Sequence, residues 1–379
     1  MKVAVYLTRN HNFRDGVTHY ASEVLCRIRY GDTDYFGAAW LPLGLSEQEA
    51  TLWYKEIYGD LNFVFCKTLL PNRFLFDLCE RKMPFFYDRL FNNGAAVHLF
   101  INNFIPRNKI HGKKAVIIHD LTPLCDIRAN KIKTKKVFGD YDYTVNVADI
   151  IFTDSEYSAN EIIKYFPQAQ GKIVVNYCGM DYERFSTPVS EELKKEIQAE
   201  YNLPEKYFLF VGQARENKNL KNTIKGYALL SEEIRKEYKL VLANHTKDLV
   251  ELSEELGVKE NIKFLSGIKE EYLVGVFQMA FCELLISFSE GFGLPMVEAM
   301  AAGVPSITSN CSCLPEVAGD AALTVNPYDT EEIKKGMQRI IEDDYLRQEL
   351  IEKGKNRAKD FSWEKTAQIF ETKLKKLCR

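Results

Sequence analysis

The protein has 379 residues, of which 46% are hydrophobic and 27% charged, a composition typical of soluble globular proteins, and its length predicts two domains. The net charge of −3 argues against a dedicated nucleic-acid-binding protein, which is usually strongly basic. No apolar run approaches the roughly 20 residues that span a bilayer, and the apolar run at the N-terminus is too short for a signal peptide, so we expect a cytoplasmic protein.

The first half of the chain alternates short apolar strands with helices. Strands are predicted at residues 3–7, 115–118, 150–153 and 172–177, and helices near residue 18 and over 156–165. Gly16 lies in the loop after the first of these strands, and His119 directly follows the second. Apolar, β-branched runs that alternate with helices predict a parallel sheet covered on both faces.

The same alternation restarts after the polar stretch 186–204. Strands are predicted at residues 207–211, 239–243, 262–264, 284–287, 306–308 and 323–325, with a helix over 219–230 and a final amphipathic helix from residue 362. The predicted fold is therefore α/β, with two Rossmann-like doubly wound domains facing each other across a cleft. The domains are residues 1–187 and 188–361, and helix 362–379 packs back on the first. Ligands in such sheets bind beyond the carboxyl ends of the strands.

The segment with the main candidate binding and catalytic residues follows the predicted strand 284–287. It reads Glu290-Gly-Phe-Gly-Leu-Pro-Met-Val-Glu298 and leads into a helix, for which proline suits the first turn. The two glycines let a ligand approach the backbone, and the amides of residues 291–294 form a phosphate site at the helix N-terminus. One carboxylate lies on the loop and one in the first turn of the helix, an arrangement that suits sugar or ribose hydroxyls. A purely structural capping carboxylate is the alternative.

With the stretch Leu314-Pro-Glu-Val-Ala-Gly319 that follows, this segment resembles the retaining glycosyltransferases of family 4, also called glycosyl transferases group 1, which have the GT-B fold. Their signature is a pair of glutamates separated by seven residues, as Glu290 and Glu298 are. Further similar stretches are Phe210-Val-Gly212, Lys218-Asn-Leu220, His119-Asp-Leu-Thr-Pro123, Thr153-Asp-Ser155, Gly179-Met-Asp181 and Phe361-Ser-Trp363. The resemblance covers nearly the whole chain.

The resemblance implies a role for each of these residues. Glu298 would bind the ribose of the donor nucleotide, Glu290 the hydroxyls of the transferred sugar, and Lys218 the diphosphate. His119 would reach the donor sugar from the N-terminal domain. Further donor contacts would come from Gly16, Gly212, Gly291, Phe292, Gly293 and Leu294.

The chain departs from the family at one position. Members usually carry an arginine directly after the glycine of the 212 loop, where this chain has Gln213. Arg215 supplies a positive charge nearby and is predicted to stabilise the leaving diphosphate together with Lys218. The alternative is an exposed loop arginine without that function.

The predicted reaction is transfer of a hexose from GDP-mannose, a UDP-sugar or a dTDP-sugar to a hydroxyl of a growing glycan in lipopolysaccharide, capsule or other surface polysaccharide assembly. The resemblance implies retention of configuration, with attack from the face that the leaving group occupies. Cations and amides stabilise the leaving diphosphate, so no metal ion and no cofactor is expected. A non-catalytic sugar-nucleotide-binding protein and a sugar-nucleotide epimerase of the same fold are the alternatives.

The predicted partners are the nucleotide sugar and a glycan or lipid-linked acceptor, without nucleic acid. Residues 107–136 contain nine Lys or Arg and two Asp, a local excess of seven positive charges. This basic segment is either a solvated loop and helix face or a peripheral contact with anionic lipid at the inner face of the membrane. Nine cysteines with irregular spacings predict reduced thiols, since only Cys311 and Cys313 lie close together and no second pair completes a zinc site.

Overall fold

The computed structural model describes residues 1–7, 16–28, 33–40, 46–58, 61–66, 94–101, 103–107, 110–125 and 131–378. The chain divides into two compact units, residues 1–179 with 363–379 and residues 180–362. Each unit is built on one parallel sheet with connecting helices. The prediction of two doubly wound α/β domains is therefore confirmed.

The first unit contains a seven-stranded sheet. Its strands are β1 Lys2–Tyr6, β2 Asp34–Trp40, β3 Asn62–Cys66, β4 Val97–Phe100, β5 Lys113–Ile117, β6 Ile150–Thr153 and β7 Ile173–Val175. They lie in the order β3-β2-β1-β4-β5-β6-β7, and all neighbours are parallel. The strand order reverses between β1 and β4, the position at which open α/β sheets bind ligands. β1, β5, β6 and β7 match strands predicted from the sequence, whereas β2, β3 and β4 were not predicted.

The second unit contains a six-stranded sheet. Its strands are β8 Lys206–Phe210, β9 Tyr238–Leu242, β10 Ile262–Phe264, β11 Cys282–Leu285, β12 Ser306–Ser309 and β13 Leu323–Val325. The order is β10-β9-β8-β11-β12-β13, again parallel throughout, and it reverses between β8 and β11. β11 ends at Leu285, two residues before the predicted end at residue 287, so residues 286 and 287 belong to the loop that carries Glu290.

Most helices lie between successive strands, and the last three follow β13. They are α1 Gly16–Arg27, α2 Glu47–Tyr58, α3 Thr122–Cys125, α4 Lys131–Val147, α5 Glu156–Tyr165, α6 Tyr182–Ser186, α7 Glu191–Tyr201, α8 Leu220–Ala228, α9 Glu232–Glu237, α10 Lys247–Glu255, α11 Leu273–Gln278, α12 Leu294–Ala301, α13 Leu314–Ala318, α14 Thr330–Glu342, α15 Asp344–Ala358 and α16 Trp363–Leu377. Serine side chains cap the N-termini of several of them; for example, Ser155 accepts from the Ser158 amide and Ser190 from the Leu193 amide. Of the helices described, none is long and apolar enough to cross a membrane.

The first unit ends at Gly179, eight residues before the boundary placed at residue 187 from the sequence. Helix α6 lies in the second unit because it packs on α11. Phe185 meets Phe277 edge-on with ring centroids 5.8 Å apart, and Gln278 Nε2 donates to the Phe185 carbonyl at 2.9 Å.

Helix α16 is part of the first unit, although it lies at the far end of the sequence. Trp363 meets Tyr20 of α1 edge-on with centroids 5.7 Å apart, and Phe370 stacks on Phe152 of β6 at 3.9 Å. The apolar face of α16 is therefore buried in the core of that unit.

Candidate active site

In the second unit, the loops that follow β8 and β11 are held against each other. The backbone oxygen of Asn217 accepts from the Phe288 amide at 2.8 Å, and Asn217 Nδ2 donates to the Ser289 carbonyl at 2.9 Å. Asn219 Nδ2 donates to the Ile286 carbonyl at 3.0 Å. These bonds fix the relative position of two segments about 70 residues apart in sequence, at the strand end where the sheet order reverses.

Lys218 and Glu290 meet where these two loops touch. Lys218 Nζ lies 2.6 Å and 2.8 Å from the two carboxylate oxygens of Glu290, and Ser287 Oγ donates to Glu290 Oε1 at 2.5 Å. The two charged side chains are only 16% and 9% exposed. The structure thus brings together the residues predicted to bind diphosphate and sugar, and it shows them neutralising each other. An ammonium group has three donors, so the lysine keeps capacity for an anionic ligand.

The turn into α12 requires the glycine at position 293. Its φ is +91°, and a Cβ there would lie 2.6 Å from Leu314 Cδ2. Phe292 is buried, with its ring edge-on to Phe361 at 5.1 Å, so its side chain belongs to the core and only its backbone is suited to a donor contact. Gly291 precedes it, and Leu294 is the first residue of α12.

Glu298 lies in the second turn of α12, so its placement in the first turn was wrong. The helix N-terminus therefore contributes little to stabilising its charge, because that effect falls off within one turn. Burial and then the nearby Glu270 raise the pKa of Glu298 to about 7, while Arg184 opposes the shift. Near neutral pH this carboxyl can hold a proton or release it to accept hydrogen bonds.

The loop after β8 also contains Gly212 and Arg215. The Gly212 carbonyl accepts from Asn244 Nδ2 at 2.9 Å, and the Arg215 carbonyl accepts from the Lys218 amide at 3.0 Å. Arg215 is exposed, and its side chain forms no ion pair with any carboxylate in the part of the chain that the structure describes. It lies three residues from the lysine and is available to an anionic ligand.

In the first unit, His119 follows β5 and pairs with Asp154, which follows β6. His119 Nδ1 lies 2.7 Å from Asp154 Oδ2, and both side chains are buried. Tyr20 meets the imidazole edge-on with centroids 5.1 Å apart. A carboxylate on Nδ1 fixes the tautomer and the ring orientation of a histidine. Gly16, predicted in a loop, is instead the first residue of α1.

Asp154 is absent from the site residues predicted from the sequence. Its signal was the Thr153-Asp154-Ser155 stretch, because β5 and β6 are neighbours whose carboxyl ends share one edge of the sheet. Among the described residues there is no group of three His, Cys, Asp or Glu side chains arranged to hold a metal ion.

Residues 192–357 match the family model of glycosyl transferases group 1. This segment of the second unit is a glycosyl transferases group 1 domain. The group 1 domain contains Gly212, Arg215, Lys218, Glu290 and Glu298, so the two loops described above both belong to it. The family prediction is confirmed for this domain; the individual residue roles remain predictions.

The O-antigen chain mannosyltransferase B of Escherichia coli is 34% identical to the chain over 228 residues. The match covers 58% of this chain and 59% of that protein, so the chain spans about three fifths of that relative's length. The chain thus has a relative that is named an O-antigen chain mannosyltransferase.

Two solved structures share the fold along nearly the whole chain. Anabaena HepE in complex with UDP-glucose is similar with a TM-score of 0.74 at 15% identity, over 99% of this chain and all of the other. WaaG, described as a glycosyltransferase involved in lipopolysaccharide biosynthesis, gives a TM-score of 0.71 at 15% identity, over 97% and 98% of the two chains. At this identity the likeness concerns the fold alone, and it confirms the prediction of a GT-B fold.

Proposed function

We propose that the protein is a retaining glycosyltransferase that moves a hexose from a nucleoside diphosphate sugar to a hydroxyl of a growing surface glycan. The observation that carries the proposal is the buried Lys218–Glu290 pair between the loops after β8 and β11 of the group 1 domain. In this pair, the lysine can bind a diphosphate and the carboxylate can bind sugar hydroxyls. These are the two parts of a nucleotide sugar that the protein has to recognise.

The donor's glycosidic bond breaks as negative charge accumulates on the leaving diphosphate. Lys218, Arg215 and the amides of residues 291–294 stabilise that charge, and Glu290 orients the sugar by its hydroxyls. Glu298 accepts hydrogen bonds from the ribose, and His119, held by Asp154, contacts the donor sugar. The acceptor hydroxyl attacks from the face that the diphosphate leaves and gives its proton to the leaving phosphate, so configuration is retained without a protein nucleophile.

GDP-mannose is the first donor to examine, because the E. coli relative is named as a mannosyltransferase of the O-antigen chain. UDP-glucose is the second, because HepE was solved with it. The acceptor in this proposal is a lipid-linked or free glycan of a lipopolysaccharide, capsule or related polysaccharide.

Purified protein incubated with GDP-, UDP-, dTDP- and ADP-sugars is expected to release nucleoside diphosphate from one donor and, with an acceptor oligosaccharide present, to extend it by one hexose. Release should persist in excess EDTA, because protein cations rather than a metal ion stabilise the leaving group. Product mass and anomeric configuration are read by mass spectrometry and NMR. A sugar nucleotide with inverted ring stereochemistry would instead identify an epimerase, and binding without turnover a non-catalytic protein.

We further propose that the basic segment 107–136 touches anionic lipid at the cytoplasmic face of a membrane. Lys135 and Lys136 are exposed on α4, and Phe138 beside them is 42% exposed. The structure lowers the charge available, because Arg107 pairs with Asp140 at 3.0 Å and Lys113 with Asp149 at 3.1 Å. The proposal is placed on the two lysines of α4 because they are exposed beside the exposed ring of Phe138.

In vesicle flotation, the protein is expected to partition onto phosphatidylglycerol vesicles and not onto phosphatidylcholine vesicles. Changing both Lys135 and Lys136 to Gln should weaken partitioning about 30-fold, since each basic residue near an anionic surface contributes about 1 kcal/mol. Lys247→Gln, on an exposed helix of the second unit, is the control and should leave partitioning unchanged. Equal partitioning of the double variant and the wild type would contradict the proposal.

A further inference from the structure

Glu283 is a fully buried carboxyl in the middle of the second unit's sheet. It lies on β11, between β8 and β12, and its side chain is 0% exposed. Its backbone amide donates to the Pro305 carbonyl at 2.9 Å, and its register partner on β12 is Ser306. A glutamate inside the apolar run Cys282-Glu-Leu-Leu-Ile286 is at odds with a buried strand, where apolar residues are expected.

No conventional hydrogen bond satisfies this carboxyl among the described residues. Neither oxygen of Glu283 has a partner of normal geometry, and neither does the nearby hydroxyl of Ser306. An ionised carboxylate without partners is very costly inside a protein, and a neutral carboxylic acid without partners costs much less. The burial and the missing partners therefore favour the protonated form.

The charged groups acting on Glu283 come from three other parts of the domain. Burial is the largest influence and disfavours ionisation. The neighbouring Ser306 hydroxyl and then Lys218 favour the ionised form, and Glu290 and Glu298 oppose it. Together they raise the pKa of Glu283 to about 8. Lys218 thus acts on two carboxyls, those of Glu283 and Glu290, and its ion pair is with Glu290.

We propose that Glu283 is a positioning residue that holds a proton on β11, the strand that leads into one of the two loops after β8 and β11. While Glu283 is neutral, the charge of Lys218 is left to Glu290 and to an incoming diphosphate. When Glu283 ionises, it weakens diphosphate binding. This inference rests on the proposed function, because it assigns nucleoside diphosphate binding to the same loops. The direction in which pH changes the affinity for diphosphate follows from charge alone. As pH rises, the proton leaves Glu283, a negative charge appears under the site, and an anionic ligand is repelled.

The test measures the Kd of UDP and of GDP by titration calorimetry between pH 6.5 and pH 9.5. Wild-type affinity for the nucleotide that binds is expected to fall about tenfold across this range, the effect of one added charge at an effective dielectric constant near 20. Glu283→Gln, which is isosteric and cannot ionise, should lose this part of the pH dependence and keep only the part that comes from Glu298, whose pKa is about 7. At pH 8, wild-type binding should take up protons, seen as a dependence of the heat on the buffer, and the variant should show much less uptake.

Glu205→Gln, at an exposed position just before β8, is the matched control and should keep the wild-type pH dependence. If Glu283→Gln is poorly folded, Glu283→Leu replaces it in the same titrations. Equal pH slopes in the wild type and a folded Glu283 variant would overturn the role of this residue. Failure of the wild type to bind any of UDP, GDP, dTDP and ADP at any pH would contradict the proposed function itself.

Discussion

Changing Glu290 to Gln is expected to lower the rate of sugar transfer by about 10³-fold while nucleoside diphosphate still binds. The carboxylate is predicted to hold hydroxyls of the transferred sugar, and losing one oriented, charged contact in a transition state has effects of about this size. The structure adds a second expectation. Because Glu290 is the counter-ion of Lys218, removing its charge leaves the lysine free for the diphosphate, so the Kd of UDP or GDP should stay equal or fall.

The measurements are kcat with the donor found in the screen and Kd by calorimetry. Glu205→Gln serves again as control and should behave as the wild type in both. A variant that transfers sugar at the wild-type rate would contradict the role of Glu290, whatever its affinity. A large loss of nucleotide affinity with an unchanged rate would mean that this carboxylate orders the nucleotide site and does not act on the sugar.

Much of the fold could be predicted because the strands are apolar runs bounded by turn residues. The strands that escaped prediction lie in the first unit, and β2 shows why. Its sequence, Asp34-Tyr-Phe-Gly-Ala-Ala-Trp40, lacks β-branched residues and contains a glycine that local propensity argues against. That glycine is explained by tertiary packing, because a Cβ on Gly37 would lie 2.6 Å from the Phe63 ring of neighbouring β3.

The loops that carry the candidate site could be predicted from the sequence, but the side chains that pair with each other could not. Glu290 and Lys218 each follow a strand, and sequence similarity marked both. Their mutual contact depends on β8 and β11 being neighbours, a strand order that the sequence analysis did not assign. Asp154 was missed for the same reason, since it reaches His119 only because β5 and β6 are adjacent. Glu283 was readable from the sequence as an acid within an apolar run, but its isolation from hydrogen-bond partners was not.

Changing Lys218 to Met is expected to destabilise the second unit by about 3–5 kcal/mol and to weaken nucleoside diphosphate binding by at least about tenfold. The stability loss follows because Glu290, 9% exposed, would remain buried without its counter-ion. The loss of affinity follows because a cation no longer faces the diphosphate. Urea unfolding followed by fluorescence gives the first quantity, and calorimetry with UDP or GDP the second.

A neighbouring lysine provides the matched control. Lys221 pairs with Asp248 at 2.7 Å, but its side chain is 43% exposed, so Lys221→Met should cost less than about 1 kcal/mol. Adding Glu290→Gln to Lys218→Met should recover much of the lost stability, because the double variant leaves no unpaired buried charge. The affinity for nucleotide should not recover with it, since the lysine is still absent. Recovery of both would mean that Lys218 only neutralises Glu290, whereas recovery of stability alone separates its structural role from its role in binding diphosphate.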